Sequence, residues 1–240
     1  MNENSTLRAV ILAVAIVFAG ALVGRGIVQF RLADRYVSVK GVAERDVAAD
    51  VGIWPLRFVS TDDLLDRARE KIESDRKRVM AFLQRAGIDS SQVSLRDLEV
   101  TDAQANPYSQ GPVRSRFIVT MTLVVRSNDV EGLRRAGQAV GELVAAGVVL
   151  SGGPFGSGPT YLFTRLNDLK PAMLGESTAN ARKAAQQFAR ESGSRVGAIR
   201  RASQGVFEIL PRDQAPGIGE GSEIQKTLRV VSTVEYYLQD

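Results

Sequence analysis

The sequence predicts an α+β protein in which mixed or antiparallel sheets pack against long helices, preceded by one N-terminal transmembrane helix. Three observations carry this expectation. Residues 9–24 form an uncharged apolar run. Several later segments alternate apolar and polar residues with the period of two that a half-buried strand requires, and between them apolar residues recur at helical spacing, bounded by cap-forming residues and glycines.

The apolar run reads AVILAVAIVFAGALVG, and Gly26, Ile27, Val28 and Phe30 extend its character beyond Arg25. Its length falls short of the roughly twenty residues that span a bilayer, and Arg8 and Arg25 can make up the difference by snorkelling. Ala19, Gly20 and Ala21 satisfy the small-residue rule for signal cleavage, yet Leu22 and Val23 continue the apolar run past them. The segment is therefore expected to stay as an anchor, with cleavage and secretion as the alternative. Arg25, Arg31 and Arg35 follow it while only Arg8 precedes it, a count that favours a cytoplasmic domain, but large domains are exported regardless of such flanks. Residues 1–33 are thus read as anchor and juxtamembrane segment and residues 34–240 as the folded region, where a division into two sub-lobes would fall near 147–158.

Residues 36–47 read as a first strand, with Tyr36, Val37, Val39 and Val42 around Ser38 and Lys40, and residues 49–59 as its partner. Ser60, Thr61 and Asp62 offer N-caps to a helix reaching about Ala86 and closed by Gly87. Leu65, Ala68, Ile72, Val79, Phe82, Leu83 and Ala86 share one face of it. The other face mixes both signs, with Asp63 to Arg67 and Glu73 to Lys77 at ion-pair spacing, and is expected to be solvated.

Residues 93–100 and 116–126 read as strands joined by a polar loop bearing Asn106, Pro107, Tyr108, Gly111 and Pro112. The second strand is apolar on both sides and is expected to be central, whereas the strand holding Trp54 and Pro55 is expected at an edge. Asn128 with Glu131 resembles a capping box for a helix continuing to Ala146, where Val130, Leu133, Val140, Leu143 and Val144 form a face before Gly147. Gly137 and Gly141 within it suggest close approach of another backbone. Residues 160–165 read as a strand, and Asp168 caps an Ala-rich helix with Pro171 in its first turn and its end near Ser192 and Gly193. Two strands, residues 196–210 and 225–238, close the chain. The order helix, strand, polar loop, strand occurs over 62–126 and again over 168–238, a weak internal duplication.

Composition narrows the chemistry. The chain has no cysteine and no histidine, so disulfides, thiol redox pairs, Cys/His zinc sites and histidine-based triads are impossible. A net charge of +4 spread along 240 residues lacks the concentrated basic stripe of a nucleic-acid binder. Glu44, Asp46 and Asp50 could in principle hold a hard cation, but Arg45 interrupts them and no calcium-loop spacing is present. The segment from Gly153 to Thr160 has P-loop glycine spacing, yet Pro159 stands where the lysine belongs and a strand follows it. Gly217, Gly219 and Gly221 likewise lack a strand-to-helix setting. Trp54 with Pro55 is expected to be an edge packing residue, with a place in an interface as the alternative. No nucleophile, cofactor site or metal site is nominated.

Val39-Lys40-Gly41-Val-Ala43-Glu44 followed by Ala49-Asp50, Asn180-Ala-Arg182-Lys183-Ala184-Ala185 through Ala189, Ser192-Gly193 and Val196-Gly197, and the closing Val230-Val-Ser-Thr-Val234-Glu-Tyr236 together resemble the SIMPL-domain family. The match runs from about Tyr36 to Asp240, and the family's usual proline before Asp50 is Ala49 here. The resemblance implies an extracytoplasmic α+β domain, a link to oxidative-stress tolerance and, in some relatives, ring-shaped channel-like assembly. It supplies no catalytic residues. The expected protein is therefore a non-enzymatic, self-assembling or partner-binding domain at the inner membrane, with the membrane, further copies of itself and an envelope protein as partners. The alternative is a carboxylate-based ligand binder or enzyme using Asp50 and Glu44 or the loop from Gly152 to Pro159.

Overall fold

Residues 12–24 form a helix, α1, and not one of its side chains is buried. The computed structural model describes residues 12–24, 35–105, 115–152, 158–213 and 215–239. Leu12, Val14, Ile16, Val17, Phe18, Leu22 and Val23 are 56% to 72% exposed. The described helix rises about 20 Å, against roughly 30 Å for a hydrocarbon core. No described helix is long and apolar enough to cross a membrane.

The rest is α+β with antiparallel pairing, in two compact units. One comprises residues 1–44, 171–207 and 229–240, and the other 45–170 and 208–228. The chain thus passes between them at four places, none of them near 147–158.

The second unit contains β2 (Val51–Asp62), α2 (Leu65–Arg85), β3 (Val93–Asp102), β4 (Phe117–Ser127), α3 (Val130–Gln138), α4 (Gly141–Ala145) and β5 (Thr160–Leu162). Its sheet has the order β3-β4-β2-β5. Ala68, Ile72, Val79, Phe82 and Leu83 of α2 pack with Leu56, Phe58, Val119, Met121, Leu123 and Val125 of β2 and β4 in one core, which Trp54 and Leu133 join.

β4 is central, as its two apolar sides require. β2 is central too, which corrects the edge placement of Trp54 and Pro55; Trp54 is fully buried. Proline is tolerated there for a geometric reason. The Arg57 carbonyl accepts from Ser151 and the Val59 amide donates to the Val149 carbonyl, so odd-numbered backbone groups of β2 face away from β4. On that side β5 pairs only as far as Ile53, and the next bonded residue is Arg57. The donor that Pro55 lacks falls in the gap.

Caps and breaks differ from expectation in several places. α2 begins at Leu65 after Leu64, without a side-chain cap. Ser60, Thr61 and Asp62 are committed to β2, paired with Val119, Ile118 and Phe117. Leu65, at the very start of α2, is exposed. Glu73 pairs with Arg76 at 2.8 Å. Asp129, not Asn128, caps α3 by accepting from the Gly132 amide at 2.8 Å. The helix expected to continue to Ala146 breaks between Gln138 and Gly141, and Val144 is exposed. Gly137 does mark a close approach, since a Cβ there would meet the Pro159 ring at 2.9 Å, but Gly141 has open space. Gly87 and Gly147, at φ of +83° and +86°, follow the helix ends as expected. The loop residues Asn106 to Pro112 lie outside the described residues.

β1 (Tyr36–Ala48), β8 (Gln225–Gln239) and β6 (Arg195–Gln204) form a sheet of order β1-β8-β6, most of which lies in the first unit, and β7 (Glu208–Pro211), in the second unit, also pairs with β8. The expected strand 196–210 is therefore two. At the break, the Gly205 amide donates to the Val231 carbonyl at 2.8 Å, and a Cβ on Gly205 would stand 2.6 Å from that oxygen. α5 (Leu166–Glu191) starts two residues before Asp168, so Asp168 lies in the first turn and Pro171 inside the helix. From Met173, every fourth residue of α5 is buried: Met173, Ser177, Ala181, Ala185 and Ala189. This stripe is made of small side chains, and the backbone of β1 comes down on it. A Cβ on Gly41 would stand 1.9 Å from the Ser177 carbonyl oxygen and 2.4 Å from the Ala181 nitrogen.

The duplication extends further than the sequence suggested. β2, α2, β3 and β4 form a strand, a helix and a hairpin with sheet order β3-β4-β2. β1, α5, β6 and β8 repeat this as β6-β8-β1, but β1 is separated from its helix by the whole of the other copy.

Candidate functional site

The three carboxylates singled out by sequence do not converge; each is engaged locally. Glu44 pairs with Arg229 at 3.4 Å. Asp46 accepts from the Thr227 hydroxyl at 2.7 Å. Asp50, at the turn between β1 and β2, accepts from the Thr164 amide at 2.8 Å, the Thr164 hydroxyl at 3.0 Å and Arg165 Nε at 3.2 Å. Three donors on one carboxylate leave little capacity for proton abstraction. Among the described residues no group of three acidic side chains stands ready for a metal ion.

The same bonds give Asp50 another role. The Ala49 amide donates to the Ile224 carbonyl and the Asp50 amide to that of Leu162. The turn is thereby fixed in place, and the Asp50 carboxylate in turn fixes the Arg165 guanidinium through one edge. Beside it lies an open hollow of about 340 Å³ lined by Val47, Ala48, Phe163, Arg165, Asp168 and Leu169. Every one of these residues belongs to the second unit. Sequence reasoning reached Asp50 but missed Arg165, because Thr164 and Arg165 read as the end of a strand that stops instead at Leu162.

Two buried charges were also missed, and both had a legible signal. Asp75 is 1% exposed, accepting from the Ser60 hydroxyl at 3.0 Å and from Arg78 at 2.7 Å. It falls on the apolar stripe of α2, between Ile72 and Val79. Lys226 is fully buried in step with Leu228 and Val230 on β8, and its Nζ meets Glu220 Oε1 at 2.6 Å and the Glu220 carbonyl. Glu220 belongs to the turn Glu220–Ser222 within the glycine segment of Gly217 to Gly221, where Gly217 adopts φ +85°. Within β5, burial pushes the Tyr161 phenol above its ordinary range.

Of the P-loop-like segment, Gly153 to Ser157 lie outside the described residues, and β5 begins at Thr160 directly after Pro159. A strand in that place offers no helix N-terminus to an anion.

Apart from Ala49 and Asp50, which lie in the second unit, the motifs carrying the family likeness fall in the first unit and include its close-packing points. Gly41 admits α5, Ala181 and Ala185 form the stripe against Val39, Val234 and Tyr236, and Asn180 Nδ2 donates to the Val42 carbonyl at 2.9 Å. The fold thus defines an α+β protein of duplicated strand–helix–hairpin units whose shared residues serve packing. The SIMPL family model, described as a protein of unknown function (DUF541), matches residues 37–235, and the chain belongs to that family. No curated protein matches it.

Proposed function

We propose that this SIMPL protein is a non-enzymatic domain held outside the cytoplasm by an N-terminal membrane anchor, acting through self-assembly or an envelope partner in envelope or oxidative-stress tolerance. The observation that carries the reading is α1, whose seven large apolar side chains have no protein to pack against among the described residues. Leaving them in water forfeits on the order of 10 kcal/mol of burial, which a lipid environment would recover. The apolar run on both sides of α1 supplies further length for an anchor.

The interaction role is supported by β3. It is an edge strand exposed along nearly its whole length, with Leu95, Leu98 and Val100 each about half exposed. Unpaired edges of this kind favour pairing with another chain. The non-enzymatic reading is supported by the occupied state of Glu44, Asp46 and Asp50, and the placement outside the cytoplasm by the family likeness.

Three measurements test the reading. Alkaline carbonate should leave the protein in the membrane pellet, and N-terminal sequencing should find no chain starting at Leu22. Protease added to intact spheroplasts should digest the domain, and full protection until lysis reverses the placement. Sedimentation of the full chain in detergent should show oligomers, and a monomer at high concentration removes self-assembly.

A further inference from the structure

Among the described residues, nothing bonds the two Nη nitrogens of Arg165; its only side-chain partner is Asp50, at Nε. The guanidinium therefore stands with one edge held and its forked outer edge open, on a side chain 68% exposed. A fork presented in this way matches a carboxylate through two parallel hydrogen bonds. Three residues along, the Asp168 carboxylate also has no side-chain partner among the described residues. The other residues lining the hollow, Val47, Ala48, Phe163 and Leu169, are all apolar. Its volume of about 340 Å³ lies within the range of small-molecule sites.

From this geometry we infer that the hollow binds an apolar α-amino acid. The ligand carboxylate takes the open edge of Arg165, its ammonium takes Asp168, and its side chain lies on the apolar wall. A plain carboxylic acid would leave Asp168 facing a second negative charge, and a plain amine would leave the guanidinium unmatched. Each therefore binds less well than the zwitterion. Asp50 is a positioning residue, since its contact is with Arg165 and not with the ligand. The inference goes beyond the proposed function and does not depend on anchoring or self-assembly.

Calorimetric titration of the full chain in nonionic detergent, corrected against empty micelles, tests it with L-phenylalanine, 3-phenylpropionate and 2-phenylethylamine. L-phenylalanine should saturate one site per chain, and the other two should bind at least tenfold more weakly. Arg165→Gln should weaken L-phenylalanine tenfold or more. That variant also removes a partner of Asp50, so Asp168→Asn, which breaks no side-chain bond of the fold, provides the second arm. It should erase the preference for L-phenylalanine over 3-phenylpropionate. No saturable heat with L-phenylalanine, equal affinity for the three probes, or L-phenylalanine and 3-phenylpropionate affinities that Asp168→Asn leaves unchanged overturns the inference.

Discussion

At the scale of single residues, the least replaceable position is Gly41. Its missing Cβ is what lets β1 lie on the Ser177–Ala181 turn of α5, and both atoms that a methyl would strike first are backbone. Gly41→Ala should cost at least about 3 kcal/mol, at the severe end of overpacking, read as a lowered urea midpoint. Gly175 is the internal control. It sits within the same helix with open space around its would-be Cβ, so Gly175→Ala should stabilise by about 0.5 to 1 kcal/mol. Equal effects at the two positions would show that helix propensity, not close approach, governs the motif. The Ser177 and Ser232 hydroxyls, buried together at 2.6 Å, show the same economy, since a small pair satisfies its polar groups without holding the elements apart.

At the scale of elements, charges decide how strands and loops end. Asp102 and Arg116 close the β3–β4 hairpin at 3.0 Å, beside the bond from the Ala103 amide to the Arg116 carbonyl. The hydrogen-bonded Arg116 guanidinium holds the Asp102 carboxyl below its ordinary 3.8. Because the folded value lies below the unfolded one, the stabilisation is present above pH 4 and is lost as the pH falls through the folded value. Asp89, held low chiefly by the Ser91 amide, acts in the same direction. The protection of the Ala103 amide, the intrinsic exchange rate at each pH divided by the observed one, should therefore fall in acid. Asp102→Asn should exchange faster already at neutral pH, with a shallower acid dependence. An unchanged profile would mean the pair contributes nothing.

The pair of Lys226 and Glu220 tests a different element. Removing the acid strands a buried ammonium, a change that costs about 3 kcal/mol or more. Glu220→Ala should destabilise to that degree and loosen the turn Glu220–Ser222, seen as faster exchange there. A neutral result would mean that Lys226 reaches water.

At the scale of the whole molecule, the interrupted repeat has a consequence for dissection. β1 pairs with β8, which lies at the other end of the chain. A fragment spanning 34–150 therefore keeps β1 without its sheet partner and without α5. It should lack the ordered first unit and leave the Val39 and Ala43 face of β1 open, with line broadening or aggregation in its NMR spectrum. A fragment with sharp, dispersed β1 signals would refute this.

Much of this molecule was legible from local pattern. The alternation in β1, β4 and β8, the apolar stripe of α2 and the glycines ending α2 and α5 are set by short-range sterics and by which face of an element is apolar, and such information lies within ten to twenty consecutive residues. Partner choice does not. That Pro55 sits in a central strand follows from where β5 stops; that α3 and α4 separate follows from packing no cap signal records; and that Ser60 faces Asp75 requires β2 and α2 to be docked. The candidate site divides in the same way. The sequence alone marked Asp50 as a carboxylate at a turn. Only the tertiary structure showed that its oxygens are taken by Thr164 and Arg165, more than a hundred residues away, because hydrogen-bond capacity is decided by which groups meet in space.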